Sequence, residues 1–405
     1  MRPVRPSVVA AIALVSAVIG AVAVLLVGKA AGLIDAETET VLVPTPETSA
    51  GPDGASVEPV ATPLTGNGFA PARIYAARAK GVVTVYSFYD DRGREEHAAQ
   101  GSGFVVSKDG TILTSAHVIT TAGPGERSPD GADRVYVAFR DGDRVRAQIV
   151  GWDVFDDVGV LRVDPDEHAL EPVPLGRSSS VVVGEPVAAM GSPFGNEDSL
   201  AVGVVSSNRR SIRALTSDYR VIGAIQTDAP ITHGNSGGPL FDARGRVIGI
   251  NAQINSESGE SEGVGFAIPI DAARRSLAQL VASGRVAYGY VGVRTEDLTP
   301  SLARHFGYGV EQGAIVASVT EDSPGERAGL RGGKDEVYNG QRVTRDGDVI
   351  VAIDGRRVRS ADDVVRAVAY RLPGQVARFT VLREGRRLNL QVRLGERPAV
   401  PETAR

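Results

Sequence analysis

Gly234-Asn235-Ser236-Gly237-Gly238-Pro239 is the stretch on which the reading of this chain turns. A serine among glycines suits nucleophilic catalysis. Glycine accepts positive φ and lets a substrate carbonyl approach the main chain closely, and the turn aims backbone N–H groups at one point. Gly234 and Ser236, with Asn235 between them, are the candidate donors to a developing oxyanion. A Gly-rich surface loop would look similar, so the partners decide. The hydroxyl needs a neutral imidazole to take its proton and a carboxylate to fix the tautomer of that imidazole.

Both partners stand upstream. Thr114-Ser115-Ala116-His117-Val118 sets a histidine just past an apolar strand, and Asp156-Asp157-Val158-Gly159-Val160-Leu161-Arg162-Val163 sets carboxylates at the mouth of another. His117 is read as the base, with His233 as its rival. Asp157 is read as the orienting carboxylate, and a one-residue slip would exchange it for Asp156. The order His, Asp, Ser is that of chymotrypsin.

The surroundings predict a mainly β protein. From Val82 onward, short β-type runs are punctuated by Gly and Asp: Val82 to Tyr86, Gly103 to Val106, Ile112 to Thr114, and Arg134 to Phe139 with its return after Asp141-Gly142. Many short strands between turn signals indicate a barrel or sandwich. Asp271 is expected to cap a helix that stops at Gly284 and closes a first domain. A second, α+β domain follows. It has a strand near Tyr290, a helix opened by Ser360-Ala361-Asp362-Asp363, and a closing hairpin around Glu384-Gly385.

The 405 residues carry a formal net charge of -5, which gives no electrostatic case for nucleic acid. There is no cysteine, so disulfides, thiolate metal sites and cysteine nucleophiles are excluded. The five histidines show no pair at helical metal-ligand spacing, and no metal or organic cofactor is implied. Val8 to Val27 is apolar apart from Ser16 and Gly20, about 30 Å as a helix and enough to cross a bilayer. Arg2 and Arg5 precede it, which leaves the N-terminus cytoplasmic and the bulk outside. A cleaved signal peptide, giving a secreted or periplasmic protein, is the alternative. Residues 35–70, rich in acidic residues and proline, read as a solvated tether.

Together with Gly101-Ser102-Gly103-Phe104, Gln226-Thr227-Asp228-Ala229 and Gly263 to Pro269, these motifs resemble the HtrA (Deg) family over about residues 69–395. The resemblance implies a chymotrypsin-like double β-barrel over 71–285 and a PDZ domain over 288–396. Before them lie a stub and anchor over 1–34 and the linker over 35–70; a tail over 397–405 follows. It implies an extracytoplasmic, membrane-anchored serine endopeptidase that cleaves misfolded or signalling proteins; the alternative is a non-catalytic chaperone or adaptor that holds peptides on the barrel surface and the PDZ domain. It places Pro230 at the base of the substrate pocket and His233 in the activation loop beside the oxyanion hole. Asp228 is read as a structural hydrogen-bond partner. Tyr290-Val291-Gly292-Val293 resembles the carboxylate-binding loop for C-terminal peptides, beside the helix from Ser360. A homotrimer is implied, with Phe69 and Tyr75 as contact candidates, and mobile loops at Ser207 to Val221, Pro230 to Asn235 and Ala252 to Glu262. The polar stretch from Gly332 to Arg345 is an insertion relative to a compact PDZ domain.

Overall fold

The computed structural model describes residues 68–91, 94–191, 199–231, 234–252 and 264–400. The expected membrane anchor, most of the linker, and most of the loop from Ala252 to Glu262 lie outside the described residues, as does His233. Among the described residues no helix is long and apolar enough to cross a membrane.

A short helix, α1 (Pro71–Arg78), leads into six strands: β1 (Val82–Asp91), β2 (Arg94–Val105), β3 (Thr111–Thr114), β4 (Arg134–Ala138), β5 (Arg144–Asp153) and β6 (Val158–Val163). They close into an antiparallel barrel in the order β1-β2-β3-β6-β5-β4. The alternation of side chains explains the closure. Val135, Val137, Val145 and Ala147 point into the barrel core, while Arg144 lies outside over the rings of Tyr86 and Tyr136. A single-turn helix, α2 (Ala116–Ile119), leaves the end of β3 and carries His117.

The second barrel is built from β7 (Pro186–Gly191), β8 (Ser199–Arg213), β9 (Arg220–Thr227), β10 (Pro239–Phe241), β11 (Val247–Ala252) and β12 (Gly265–Pro269), ordered β10-β11-β12-β9-β8-β7. One shared apolar cluster joins the barrels, with Phe104, Leu113 and Val158 meeting Met190, Phe241 and Phe266. Phe69 and Tyr75, expected as trimer contacts, pack partly buried against this same cluster. Ser207 to Val221, expected as a loop, is largely paired strand: β8 and β9 continue their ladder to Arg213 and Arg220. Register shifts along that ladder twist the arms out toward solvent, so polar residues suit both faces.

Helix α3 (Ile270–Ser283) closes this part of the chain and ends at Gly284 in the left-handed conformation (φ 71°). Asp271 is not its cap. The helix begins one residue earlier, and the Asp271 carboxylate accepts from the Ser179 amide at 2.9 Å instead.

After Tyr288 the chain pairs β13 (Gly289–Tyr290) with a late strand, Gly395–Glu396. A sheet follows from β14 (Val293–Leu298), β15 (Gly313–Val319), and three later strands at Val349–Ile353, Val376–Arg383 and Arg386–Arg393. The helix Ala361–Ala369 packs on it through Val364 and Val368. Ser360 Oγ accepts from the Asp363 amide at 3.3 Å, while the Asp363 carboxylate reaches the Arg359 amide at 2.9 Å. The inserted stretch is an ordered hairpin, Lys334–Tyr338 against Gln341–Arg345. Asn339 and Gly340, both at positive φ, make its turn.

Candidate active site

His117 and Asp157 come from adjacent loops of the first barrel, and Ser236 comes from the loop before β10 of the second. Asp157 is buried and sits at φ 53°, in the left-handed region that aspartate tolerates better than most residues. Both of its carboxylate oxygens serve one residue. Oδ1 accepts from the His117 backbone N–H at 2.9 Å, and Oδ2 lies 2.7 Å from His117 Nδ1. Holding the ring and its own backbone together fixes the imidazole plane and keeps the proton on Nδ1. Nε2 is then left as the acceptor. Burial alone would depress the His117 pKa. The charge of Asp157 and its hydrogen bond outweigh burial and raise it above the ordinary imidazole value.

Ser236 is 4% exposed, and its Oγ has no hydrogen-bond partner among the described residues. A buried hydroxyl without a partner is costly unless something else is to bind there. Catalytic hydrogen bonds of this kind often tighten only when substrate arrives. The loop around Ser236 is held by its carbonyls. Asn235 O accepts from Gly238 N at 2.9 Å, and Ser236 O accepts from Ser102 N at 2.8 Å. The amides of Gly234 and Ser236 donate to no acceptor among the described residues. Gly237 is required here: it has φ 86°, and a Cβ would lie 2.2 Å from the Ser102 carbonyl oxygen.

The rival carboxylate, Asp156, faces away from His117. Its Oδ2 lies 2.9 Å from Arg275 Nη2 and 2.8 Å from the Tyr288 hydroxyl. Pro230, expected at the base of the substrate pocket, is exposed. Along 227–231 burial alternates, so Pro230 and Asp228 face outward while Ala229 and Ile231 face inward. Ile231 is part of the apolar core of the second barrel, packed where Gly265 has no side chain. Asp228 accepts from the Val204 amide at 2.7 Å, a structural role.

A second cleft of about 320 Å³ lies between Tyr290 to Thr295 and the helix Ala361–Ala369. Tyr290, Val291, Gly292 and Val293 form one wall, and Val364, Val365 and Val368 the other. The carbonyls of Val291 and Gly292 accept from Gly325 and Thr320, whereas the Val291 and Gly292 amides donate to nothing among the described residues. Asp218 to Arg220 of the second barrel border the same cleft.

A trypsin-like peptidase domain family matches residues 101–250, and a PDZ domain family matches residues 289–394. A probable periplasmic serine endoprotease, DegP-like, from Hahella chejuensis is 39% identical over 77% of this chain and 60% of its own length. A protein of the same description from Halomonas elongata is 40% identical over 75% of this chain and 58% of its own. The chain thus spans about 60% of the length of the curated relatives it matches. Among solved structures, the HtrA-type protease AlgW with a tripeptide is 36% identical with a TM-score of 0.66, over 81% of this chain and 98% of that one. The serine endoprotease from Yersinia pestis is 27% identical with a TM-score of 0.57, over 81% and 98%. Two six-stranded barrels, a PDZ domain and this set of relatives place the chain in the HtrA/Deg family.

Proposed function

We propose that the chain is a serine endopeptidase in which Ser236 attacks, His117 is the general base and Asp157 orients it. The observation that carries this reading is the pair of hydrogen bonds between Asp157 and His117, together with a buried Ser236 hydroxyl that has no partner among the described residues. In the reaction, Ser236 Oγ adds to the scissile carbonyl carbon while its proton passes to His117 Nε2. The oxygen becomes an oxyanion facing the amides of Gly234 and Ser236. Collapse breaks the C–N bond, and the amine leaves with the proton from His117. Water then adds to the acyl-enzyme ester by the same route, releasing the acid and restoring the serine.

Pro230, where the family resemblance puts the base of the substrate pocket, carries no charge, which supports an apolar P1 side chain over a cationic one. The unengaged amides of Val291 and Gly292, over an apolar cleft, suit the carboxylate and last side chain of a C-terminal peptide. Barrel residues that border that cleft supply a route by which such a peptide regulates proteolysis. The apolar run Val8 to Val27 with Arg2 and Arg5 before it supports a membrane tether. The printed description of the relatives as periplasmic supports an extracytoplasmic site of action on misfolded or signalling proteins. The family resemblance supports a homotrimer.

Casein digestion by the full chain and by Ser236→Ala tests the core of this reading, with fragments sequenced by mass spectrometry. Cleavage after apolar residues that falls about 10⁴-fold or more in the variant is expected. Equal cleavage by both proteins would overturn it.

A further inference from the structure

Ser102, in β2 of the first barrel, grips the loop of the second barrel that carries Ser236. Its Oγ donates to the Gly234 carbonyl at 2.5 Å, and its backbone N–H donates to the Ser236 carbonyl at 2.8 Å. The carbonyl between them, on Asn235, is taken by Gly238 N. All three carbonyls from Gly234 to Ser236 are therefore engaged, two of them by Ser102 and the middle one within the loop. The amides of Gly234 and Ser236 have no acceptor among the described residues. Ser102 is itself fully buried and fixed from behind, since Thr114 Oγ1 donates to its carbonyl at 2.6 Å. Val118, next to His117, lies so close to Gly101 that a Cβ there would be 2.6 Å from it. The strand that holds the serine loop is thus also packed against the histidine segment.

From this geometry we infer that Ser102 is a positioning residue for the oxyanion site, its hydroxyl fixing the Gly234–Asn235 peptide that links the two donor amides and so limiting how each of them can turn. The inference rests on the peptidase reading above. Hydrogen-bond donors stabilise a transition state only when they are already aimed, and a shift of about 1 Å is enough to cost a large factor in rate. Gly234 sits at φ 94° and has no side chain to limit it, so an outside contact must fix its orientation. The Ser102 hydroxyl supplies that contact. It touches neither substrate nor reacting atoms, so its effect falls on the step in which the oxyanion forms, leaving ground-state binding alone.

The test compares the full chain with Ser102→Ala and Thr114→Val, with Ser236→Ala as the inactive reference. A fluorogenic peptide with an apolar P1 residue gives kcat and KM, and a peptide boronic acid of the same sequence reports affinity for a tetrahedral adduct. In Ser102→Ala, kcat is expected to fall about 10- to 100-fold, less than the loss of a donor itself. KM should stay within about twofold, and boronate affinity should fall by the same factor as kcat/KM. Thr114→Val, which frees the Ser102 carbonyl and preserves side-chain volume, should show the same split at smaller size. It also stands in if Ser102→Ala does not fold. Wild-type kcat and boronate affinity in the folded variant would overturn the inference, as would a loss carried by KM. If Thr114→Val alone can be measured and is unchanged, the inference fails too. Failure of the peptidase reading looks different: the unaltered chain would then cleave no faster than Ser236→Ala.

Discussion

The turn from Asp153 to Asp157 sends its carboxylates in two directions, and the two sides are built on opposite terms. On one side the Asp157 carboxylate has a single partner, His117, and the Ser236 hydroxyl has none among the described residues. On the other side Asp153 and Asp156 face helix α3 and the start of the PDZ domain, where every carboxylate is answered from within the protein. Asp153 Oδ1 accepts from the amides of Phe155 and Asp156, and its Oδ2 accepts from Ser276 and Tyr288. Asp156 pairs with Arg275, whose guanidinium also lies 3.9 Å from the ring centre of Tyr370, just past the helix of the peptide cleft. Carboxylates with partners of their own fix structure, whereas a buried hydroxyl without one is ready for a substrate. Adjacent aspartates divide these roles because Asp157 alone takes the left-handed conformation, which redirects the chain between them.

The sharpest way to break this contrast is Asp157→Asn. The amide keeps the shape but cannot accept both bonds from His117, so it favours the wrong tautomer. We expect kcat to fall about 10⁴-fold, with the unfolding midpoint in urea nearly unchanged. The same pair sets the pH response. Because Asp157 raises the His117 pKa, the neutral base appears only above the ordinary imidazole value of about 6.5. Activity of the unaltered chain should therefore rise with pH through a midpoint above that value, and residual activity of the variant through a lower one. A midpoint that does not move would mean that Asp157 does not control the base.

The first side of the contrast was legible in the sequence and the second was not. His117, Asp157 and Ser236 each stand in a short motif whose residue types state their chemistry, and their order adds information. The choice between Asp156 and Asp157 depended on register alone, and it took the Arg275 and Tyr288 contacts to show where Asp156 points. Those contacts span more than a hundred residues and carry no local signature. Asn339-Gly340 is the opposite case. That dipeptide is a strong local hairpin signal, and it alone is enough to divide the inserted stretch from Gly332 to Arg345 into two paired strands.

A middle-sized effect should come from the satisfied side. Arg275→Ala leaves Asp156 buried without its cation, and breaking a pair of this kind costs about 3 kcal/mol. The Arg275 side chain keeps 21% exposure, so some water reaches the site and the loss should sit near that lower figure. Urea unfolding measures it. The prediction that sharpens the comparison is that kcat of the folded variant changes less than about threefold, because Asp157 keeps both bonds to His117. A loss of rate as large as that of Asp157→Asn would show that the two sides of the turn are one unit.

The smallest effect concerns a proton. Tyr288 Oη lies 2.5 Å from Asp153 Oδ2 and 2.8 Å from Asp156 Oδ2, and it has one hydrogen to give. Ser276 brings another to Asp153, and Arg275 is the cation facing the pair. Burial, and then the charge of Asp156, raise the Asp153 pKa above the ordinary carboxylate value. A carboxyl whose pKa is higher folded than unfolded stabilises the folded state below the unfolded value, about 3.9, and that contribution is lost as pH rises through the folded value. Asp153→Asn keeps an acceptor for the Phe155 and Asp156 amides and carries no charge to lose. Its thermal midpoint should therefore equal or exceed that of the unaltered chain at pH 8, by about 1 kcal/mol or less, and the advantage should shrink toward pH 5. An advantage that grows on acidification would mean that Asp153 is stabilised as an anion, and that the satisfied side of the turn holds two charges against one.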